Sequence, residues 1–316
     1  MVTRSNGEIA RGAVGLRRLD RNNQIDLADR FHIGSVTKSF TATVIGVLVS
    51  RGVVDWDTTI EQTFPDWKFR PEYASVTVAE LLSHESGIPP FTEDDEVKGV
   101  PEDRQAFARY ALTLEPIGPR GQFAYSNGGY VVVAAMAEKL SGRSWETLLR
   151  DEIFRPLRLS TASIGWPARR GLAQPWGHVE DGGKVVPHDP DGSYQISAAM
   201  APAGDLHMSV SDLGKFLRSQ LIPLRGGRGI LPHDIATTMH TRRLRSGLGF
   251  GVTKIGDVAP VSTYSGSAGT FVAMIAIAPK HDTAVAVVTN EGTEKAEAAV
   301  RTVLKELLAR YASQTE

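Results

Sequence analysis

Ser35-Val36-Thr37-Lys38 places a hydroxyl and an amine three positions apart, and on a helix that spacing brings both side chains to one face within hydrogen-bond reach. A serine oxygen is a poor nucleophile until a base takes its proton, and a lysine serves as that base only when burial destabilises its ammonium. With 22 Ser and 10 Lys in 316 residues, about one S-x-x-K is expected by chance, so the spacing alone says little. Its setting says more. The single S-x-x-K of this chain opens a segment, Val36 to Arg51, that is apolar nearly all round and stops at Gly52, as a buried helix with a C-terminal glycine does. The first N–H groups of such a helix also point to where a tetrahedral oxyanion would form.

Two further clusters fit the same chemistry. Tyr125-Ser126-Asn127 stands in a loop before two glycines and a helix. A phenol beside a lysine can relay the serine proton to a leaving group, and an asparagine amide can orient a carbonyl. The plainer reading makes Tyr125 an amphipathic wall residue and Asn127 a helix N-cap. Tyr264-Ser265-Gly266-Ser267-Ala268-Gly269 reads either as a Gly/Ser turn or as an edge strand whose small residues let a substrate approach, with a main-chain N–H completing an oxyanion hole.

The elements around them set the fold. Residues 8–34 are short Gly-punctuated pieces suited to a sheet. Thr77 to Glu80 is a capping box opening a helix from Val78 to His84. Further helices are expected from Gly128 to Leu140 and from Trp145 to Phe154, the latter stopping before Pro156. Thr270 to Ala278 and Thr283 to Thr289 read as an antiparallel hairpin, closed by an amphipathic helix from Thr293 to Tyr311. The pattern predicts an α+β fold: a central antiparallel sheet built from both termini (1–52 and 221–316, with the nucleophile helix at 35–51), and an inserted, mainly helical lobe (53–220). The site belongs in the cleft between them. Residues 165–205, rich in Gly, Pro, Trp and Asp, form a long irregular segment from which Trp166, Trp176 and Tyr194 are expected to wall an acyl pocket.

Composition excludes several alternatives. The formal charge of −1 and pI near neutrality supply no field for nucleic acid or an anionic membrane. The absence of cysteine excludes disulfides, thiolate metal sites and a cysteine nucleophile. No G-x-S-x-G elbow, H-E-x-x-H or P-loop occurs, and Gly247-Leu248-Gly249-Phe250-Gly251 lacks the strand–helix context of a dinucleotide site. No cofactor or metal is needed, and the expected ligand is a small ester, amide or lactam. There is no membrane-spanning run and no signal-peptide core, so the chain as given reads as soluble and cytoplasmic, or periplasmic if a leader has been removed.

The order of motifs resembles the serine β-lactamase and penicillin-binding-protein superfamily, on its class C, D-alanyl-D-alanine carboxypeptidase and family VIII esterase side. Phe31 to Phe40 is similar to the nucleophile segment and Leu81-Leu82-Ser83-His84-Glu85-Ser86-Gly87-Ile88-Pro89 to "LLTHTSGLP". Tyr125 to Tyr130 matches Y-x-N and its helix, and Ile153 to Leu157 resembles "IFxPLGM". Ala201 to Asp205 with Ser211-Asp212-Leu213 resembles "PAGGL…S…DL". The resemblance implies Ser35 as nucleophile, Lys38 and Tyr125 as the acid–base pair, and Asn127 as a substrate contact. It implies the main-chain N–H of Ser35 and Ser267 as oxyanion hole, Tyr264, Ser265 and Gly266 as substrate-lining, and His84 as structural. Where carboxylate-binding relatives carry Lys or His at the head of the third motif, this chain has Tyr264. That tilts the expectation from β-lactams and cell-wall peptides toward small neutral esters. Within the same superfamily the alternatives are a D-amino-acid peptidase or amidase and a β-lactamase, and a silent binding protein that kept the fold is the alternative of another class. Ser35 also comes early: the helix and strand usual ahead of Met1 are absent, and a second copy of the chain is one way to cover the face so exposed.

Overall fold

A computed structural model describes residues 1–92, 98–171, 173–243 and 245–312. Its strands are β1 Val2–Arg4, β2 Gly7–Ala10, β3 Arg30–His32, β4 Ser163–Ile164, β5 His178–Asp181, β6 Lys184–Pro187, β7 Leu206–Ser209, β8 Gly251–Ile255, β9 Val258–Ser267, β10 Val272–Ala278 and β11 Thr283–Thr289. Six of them form the central antiparallel sheet in the order β2-β1-β11-β10-β9-β8, so the N-terminal hairpin is sewn onto the C-terminal strands. The fold is the expected α+β one, a central antiparallel sheet flanked by helices.

The alternation of β10 explains the layers. Ala273, Ile275 and Ile277 pack into the large core shared with the nucleophile helix Thr37–Ser50 and the helix Val210–Leu224. Val272, Met274, Ala276 and Ala278 face the other way, against Val300, Leu304 and Leu308 of the closing helix Glu294–Ala312. Because both faces are covered, β10 is buried along its whole length and carries no polar side chain.

Several local expectations change. Arg30–His32 does not join the main sheet; it pairs with β7, which pairs with β4, in a separate three-stranded sheet. Residues 11–29 form irregular loop rather than strand, tied down where Asn290 Nδ2 donates to the carbonyls of Leu16 and Arg17. β9 is not an edge strand, since β8 lies outside it. Its pairing with β8 ends at Thr263, however, and leaves residues 264–267 projecting past β8. The helix from Trp145 does not stop before Pro156: a π-helical turn, Arg150–Phe154, runs into a short helix, Arg155–Leu157, whose first turn accepts the proline because N–H groups there need no partner. Among the described residues no helix is long and apolar enough to cross a membrane.

Candidate active site

The nucleophile segment begins with a 3₁₀ turn, Gly34–Val36, that leads directly into the helix Thr37–Ser50. Two contacts fix this turn. Gly34 holds a left-handed φ of 48°, and its N–H donates to His32 Nδ1 at 3.2 Å while His32 Nε2 meets Asp205 Oδ1 at 3.1 Å. On the other side β9 crosses so closely that a Cβ on Gly34 would fall 2.6 Å from Ser267 N, and one on Gly266 would fall 2.6 Å from Ser35 N. Only glycine at both positions allows the two chains to meet. The result brings the main chain of β9 at Gly266–Ser267 against that of the turn at Gly34–Ser35.

Lys38 is fully buried. Its Nζ donates to Asn127 Oδ1 at 2.6 Å and to the Ala203 carbonyl at 2.6 Å, and it lies 3.1 Å from Ser35 Oγ. The orientation of the Asn127 amide is pinned because its Nδ2 donates to the Phe91 carbonyl at 3.0 Å, so Oδ1 must be the atom facing the amine. Burial lowers the Lys38 pKa, against an opposing pull from Tyr125, whose ring centroid lies 4.9 Å from the amine. The Tyr125 hydroxyl is 2.7 Å from Ser35 Oγ, so the serine oxygen stands between an amine and a phenol.

Asn127 begins the helix Asn127–Ser141, but the N-cap is Ser126, whose hydroxyl accepts from Gly129 N. That leaves the Asn127 amide free to face Lys38. The Ser126 N–H donates to His84 Nδ1 at 3.1 Å, and His84 Nε2 lies 3.0 Å from the Tyr264 hydroxyl. Burial, with the Lys38 charge adding to it, lowers the His84 pKa to about 3. Burial likewise pushes the Tyr264 phenol well up, so the histidine stays neutral and the phenol keeps its proton.

A cleft of about 450 Å³ opens over Ser35, walled by Phe91, Asn127, Arg169, Tyr194 and Ser267 among others. The structure therefore gathers Ser35, Lys38, Tyr125, Asn127, Gly266 and Ser267 in one place. Tyr264, Ser265 and Gly266, expected to line the substrate, are not among the residues walling that cleft, and the Tyr264 hydroxyl lies 3.0 Å from His84 Nε2 instead. Of the three aromatic residues expected in the wall, only Tyr194 is there. Trp166 is buried, tilted against His32 with ring centroids 4.6 Å apart, and Trp176 carries the Arg18 guanidinium 3.7 Å above its ring. Sequence reasoning missed the Ala203 carbonyl, Phe91 and Arg169; a backbone acceptor leaves no trace in a residue type, and Arg169 lay within a segment too irregular to place. Among the described residues no three metal-ligating side chains gather.

The sequence model of the beta-lactamase family matches residues 1–310. The chain belongs to the beta-lactamase family. Among curated members of that family, the chain is 27% identical over 195 residues to a beta-lactamase of Escherichia coli K12, covering 61% of this chain and 48% of the relative. It is 35% identical over 136 residues to penicillin-binding protein 4 of Amycolatopsis lactamdurans, covering 41% and 34%. The chain thus spans half or less of the length of these beta-lactamase-family relatives. Among solved structures, the octameric penicillin-binding protein homologue from Pyrococcus abyssi superposes with a TM-score of 0.79 at 27% identity, over 99% of this chain and 73% of the other.

Proposed function

We propose that the protein is a serine hydrolase that forms an acyl-enzyme at Ser35, with small neutral esters as its preferred substrates. The observation that carries the reading is the coordination of the Lys38 amine. Two obligatory acceptors, Asn127 Oδ1 and the Ala203 carbonyl, take two of its N–H bonds, so the remaining tetrahedral direction points at Ser35 Oγ. In the neutral amine that direction holds the lone pair, and burial favours the neutral form.

The steps follow from that geometry. Ser35 Oγ attacks the ester carbonyl as its proton passes to Lys38, and the carbonyl oxygen takes up the electron pair between the N–H groups of Ser35 and Ser267. As the tetrahedral intermediate collapses, Tyr125 gives its proton to the departing alkoxide and recovers one from Lys38. A water then attacks the acyl carbon, its proton returning through the same pair, and Ser35 is released. The uncharged Tyr264 at the head of the third motif supports a neutral substrate.

A fluorophosphonate probe should label Ser35 in the folded protein and fail on Ser35→Ala. Short-chain p-nitrophenyl esters should turn over, with little turnover of a chromogenic cephalosporin. Lys38→Ala, and Tyr125→Phe on an ester of an unactivated alcohol, should each lose about 10²–10⁴-fold. Absence of labelling with intact fold would point to a silent binding protein. A second reading, a carboxylate-bearing amide or lactam, is supported by Arg169, an exposed cation in the cleft wall. Fast cephalosporin hydrolysis that collapses in Arg169→Ala would favour it.

A further inference from the structure

A glycine populates either sign of φ, so the left-handed Gly34 imposes no direction of its own on the nucleophile turn. The plane of the peptide between Ile33 and Gly34 must be held from outside, and it is held at both edges. The Ile33 carbonyl accepts from Val36 N at 3.1 Å, closing the 3₁₀ turn that carries Ser35. On the opposite edge of the same planar unit the Gly34 N–H donates to His32 Nδ1 at 3.2 Å. A ring that grips one edge of this peptide thus sets the direction of the other, and with it the turn on which the Ser35 N–H sits.

The ring itself has one workable arrangement. A main-chain N–H can only donate, so Nδ1 is the acceptor and the ring proton is on Nε2, which donates to Asp205 Oδ1 at 3.1 Å. With the proton on the other nitrogen, Nδ1–H would face the Gly34 N–H, two donors without an acceptor. Asp205 is a fixed post: its own N–H donates to the Ala201 carbonyl at 3.2 Å, and its carbonyl accepts from Gly165 N at 2.9 Å. Resting on the hydrolase reading above, we propose that His32 and Asp205 are positioning residues: Asp205 fixes which imidazole nitrogen is bare, and His32 uses that nitrogen to hold the Ile33–Gly34 peptide so that the Ser35 N–H meets the developing oxyanion.

Two observations separate this role from plain packing. His32 is completely buried and Asp205 nearly so, with Trp166 against the ring at 4.6 Å and Phe271 at 6.3 Å. Apolar side chains of similar volume would serve the fold there as well as a buried polar pair, or better. Ser35 Oγ meets Tyr125 and Lys38 instead, so the pair acts on the main chain and not on the proton route.

The experiment follows labelling by an excess of a fluorophosphonate and reads two quantities by mass spectrometry, the rate constant and the final fraction labelled. Fluoride departs without a proton, so the rate reports the nucleophile and the oxyanion donors rather than the acid. His32→Leu, which fills the space without an acceptor, should slow labelling about tenfold or more while the final fraction stays that of the parent. His32→Asn puts a carbonyl oxygen where it accepts from the N–H two residues on, and should bring the rate back to within about threefold of the parent. Asp205→Ala should slow labelling about fivefold or more, since nothing then fixes the ring proton. Adding His32→Asn to Asp205→Ala should recover most of that loss, because an amide oxygen accepts without help from a carboxylate. Should His32→Leu not fold, the Asp205→Ala pair of variants carries the test by itself. A purely structural pair behaves otherwise: the final fraction falls with the share of misfolded molecules, and the rate constant of the rest does not change. That outcome, His32→Asn as slow as His32→Leu, or a double variant no faster than Asp205→Ala alone would overturn the proposal. Failure of the underlying reading shows in the parent itself, whose label would be absent or would persist in Ser35→Ala, and the proposal falls with it.

Discussion

Replacing Gly266 by alanine tests the close crossing on which the proposed oxyanion hole depends. A Cβ there would stand 2.1 Å from the Ile33 carbonyl oxygen, 2.6 Å from Ser35 N and 2.7 Å from Val36 N, all of them backbone, where ordinary contact begins at 3.4 Å. No side chain can swing away to relieve this, so β9 and the nucleophile turn must part by about 1.3 Å. An N–H···O bond of roughly 2.9 Å stretched by that amount is no longer a hydrogen bond. The Ser267 donor would then be lost, a change that costs about 10²–10³ in kcat when one oxyanion-hole donor is removed. The assay is the rate of acylation of p-nitrophenyl butyrate beside a thermal unfolding curve, with Gly118→Ala as control, since nothing lies within 4 Å of a Cβ at that glycine. Gly266→Ala acylating within about threefold of the parent, with its melting temperature retained, would refute the assignment of the second donor to β9.

Three buried histidines set an acid limit on stability. His84 and His240 are lowered to about 3 and His207 to about 4, each chiefly by burial. Their folded values lie below the unfolded one, so their neutral forms contribute fully above about pH 6.5, and that contribution is lost as pH falls below it. Each then costs about 2 kcal/mol by pH 5, about 6 kcal/mol together; urea midpoints that do not move between pH 7 and 5 would contradict this. His240→Met should flatten the slope by about one proton, because His240 Nδ1 is buried without a partner. Arg104 ties Glu138, Glu146 and the Ala198 carbonyl together beneath the segment that leads to Ala203. Arg104→Met should cost about 3–5 kcal/mol in urea unfolding, and a loss under 1 kcal/mol would show the network to be dispensable.

What the sequence reveals and conceals here follows from the range of each interaction. The helix after Ser35 is legible because apolar residues on every face leave no other place for it than the core. The hairpin is legible because β-rich runs flank Pro279 to Asp282, and its strands pair from Val272↔Thr289 to Ala278↔Thr283. Burial on both faces of β10 was not legible, because an unbroken apolar run fits a buried strand or a buried helix equally well until its neighbours are known. The fate of Arg30–His32 was decided by β7, more than 170 positions away, and by the hydrogen bond of His32 Nε2 to Asp205 Oδ1. Trp176 is expected in the pocket only because it falls in the irregular segment; the Arg18 that claims its face comes from the N-terminal loop, far away in sequence. Tyr264 was read by comparison with a charged residue at the same place in relatives. Its partner His84 lies 180 positions away, a pairing no local spacing announces.

The contacts around Ser35 and Lys38 reach to Tyr125, Asn127 and Ala203, spanning between 89 and 165 positions of sequence. No fragment released early from the ribosome contains both Lys38 and the carbonyl that directs its amine, and any local opening that frees the Ala201–Gly204 turn removes that carbonyl again. On the proposed chemistry a nascent or damaged copy has an inert serine, and hydrolysis waits on the long-range closure of the fold. Turnover per molecule would then be a direct gauge of how much of a preparation is completely folded.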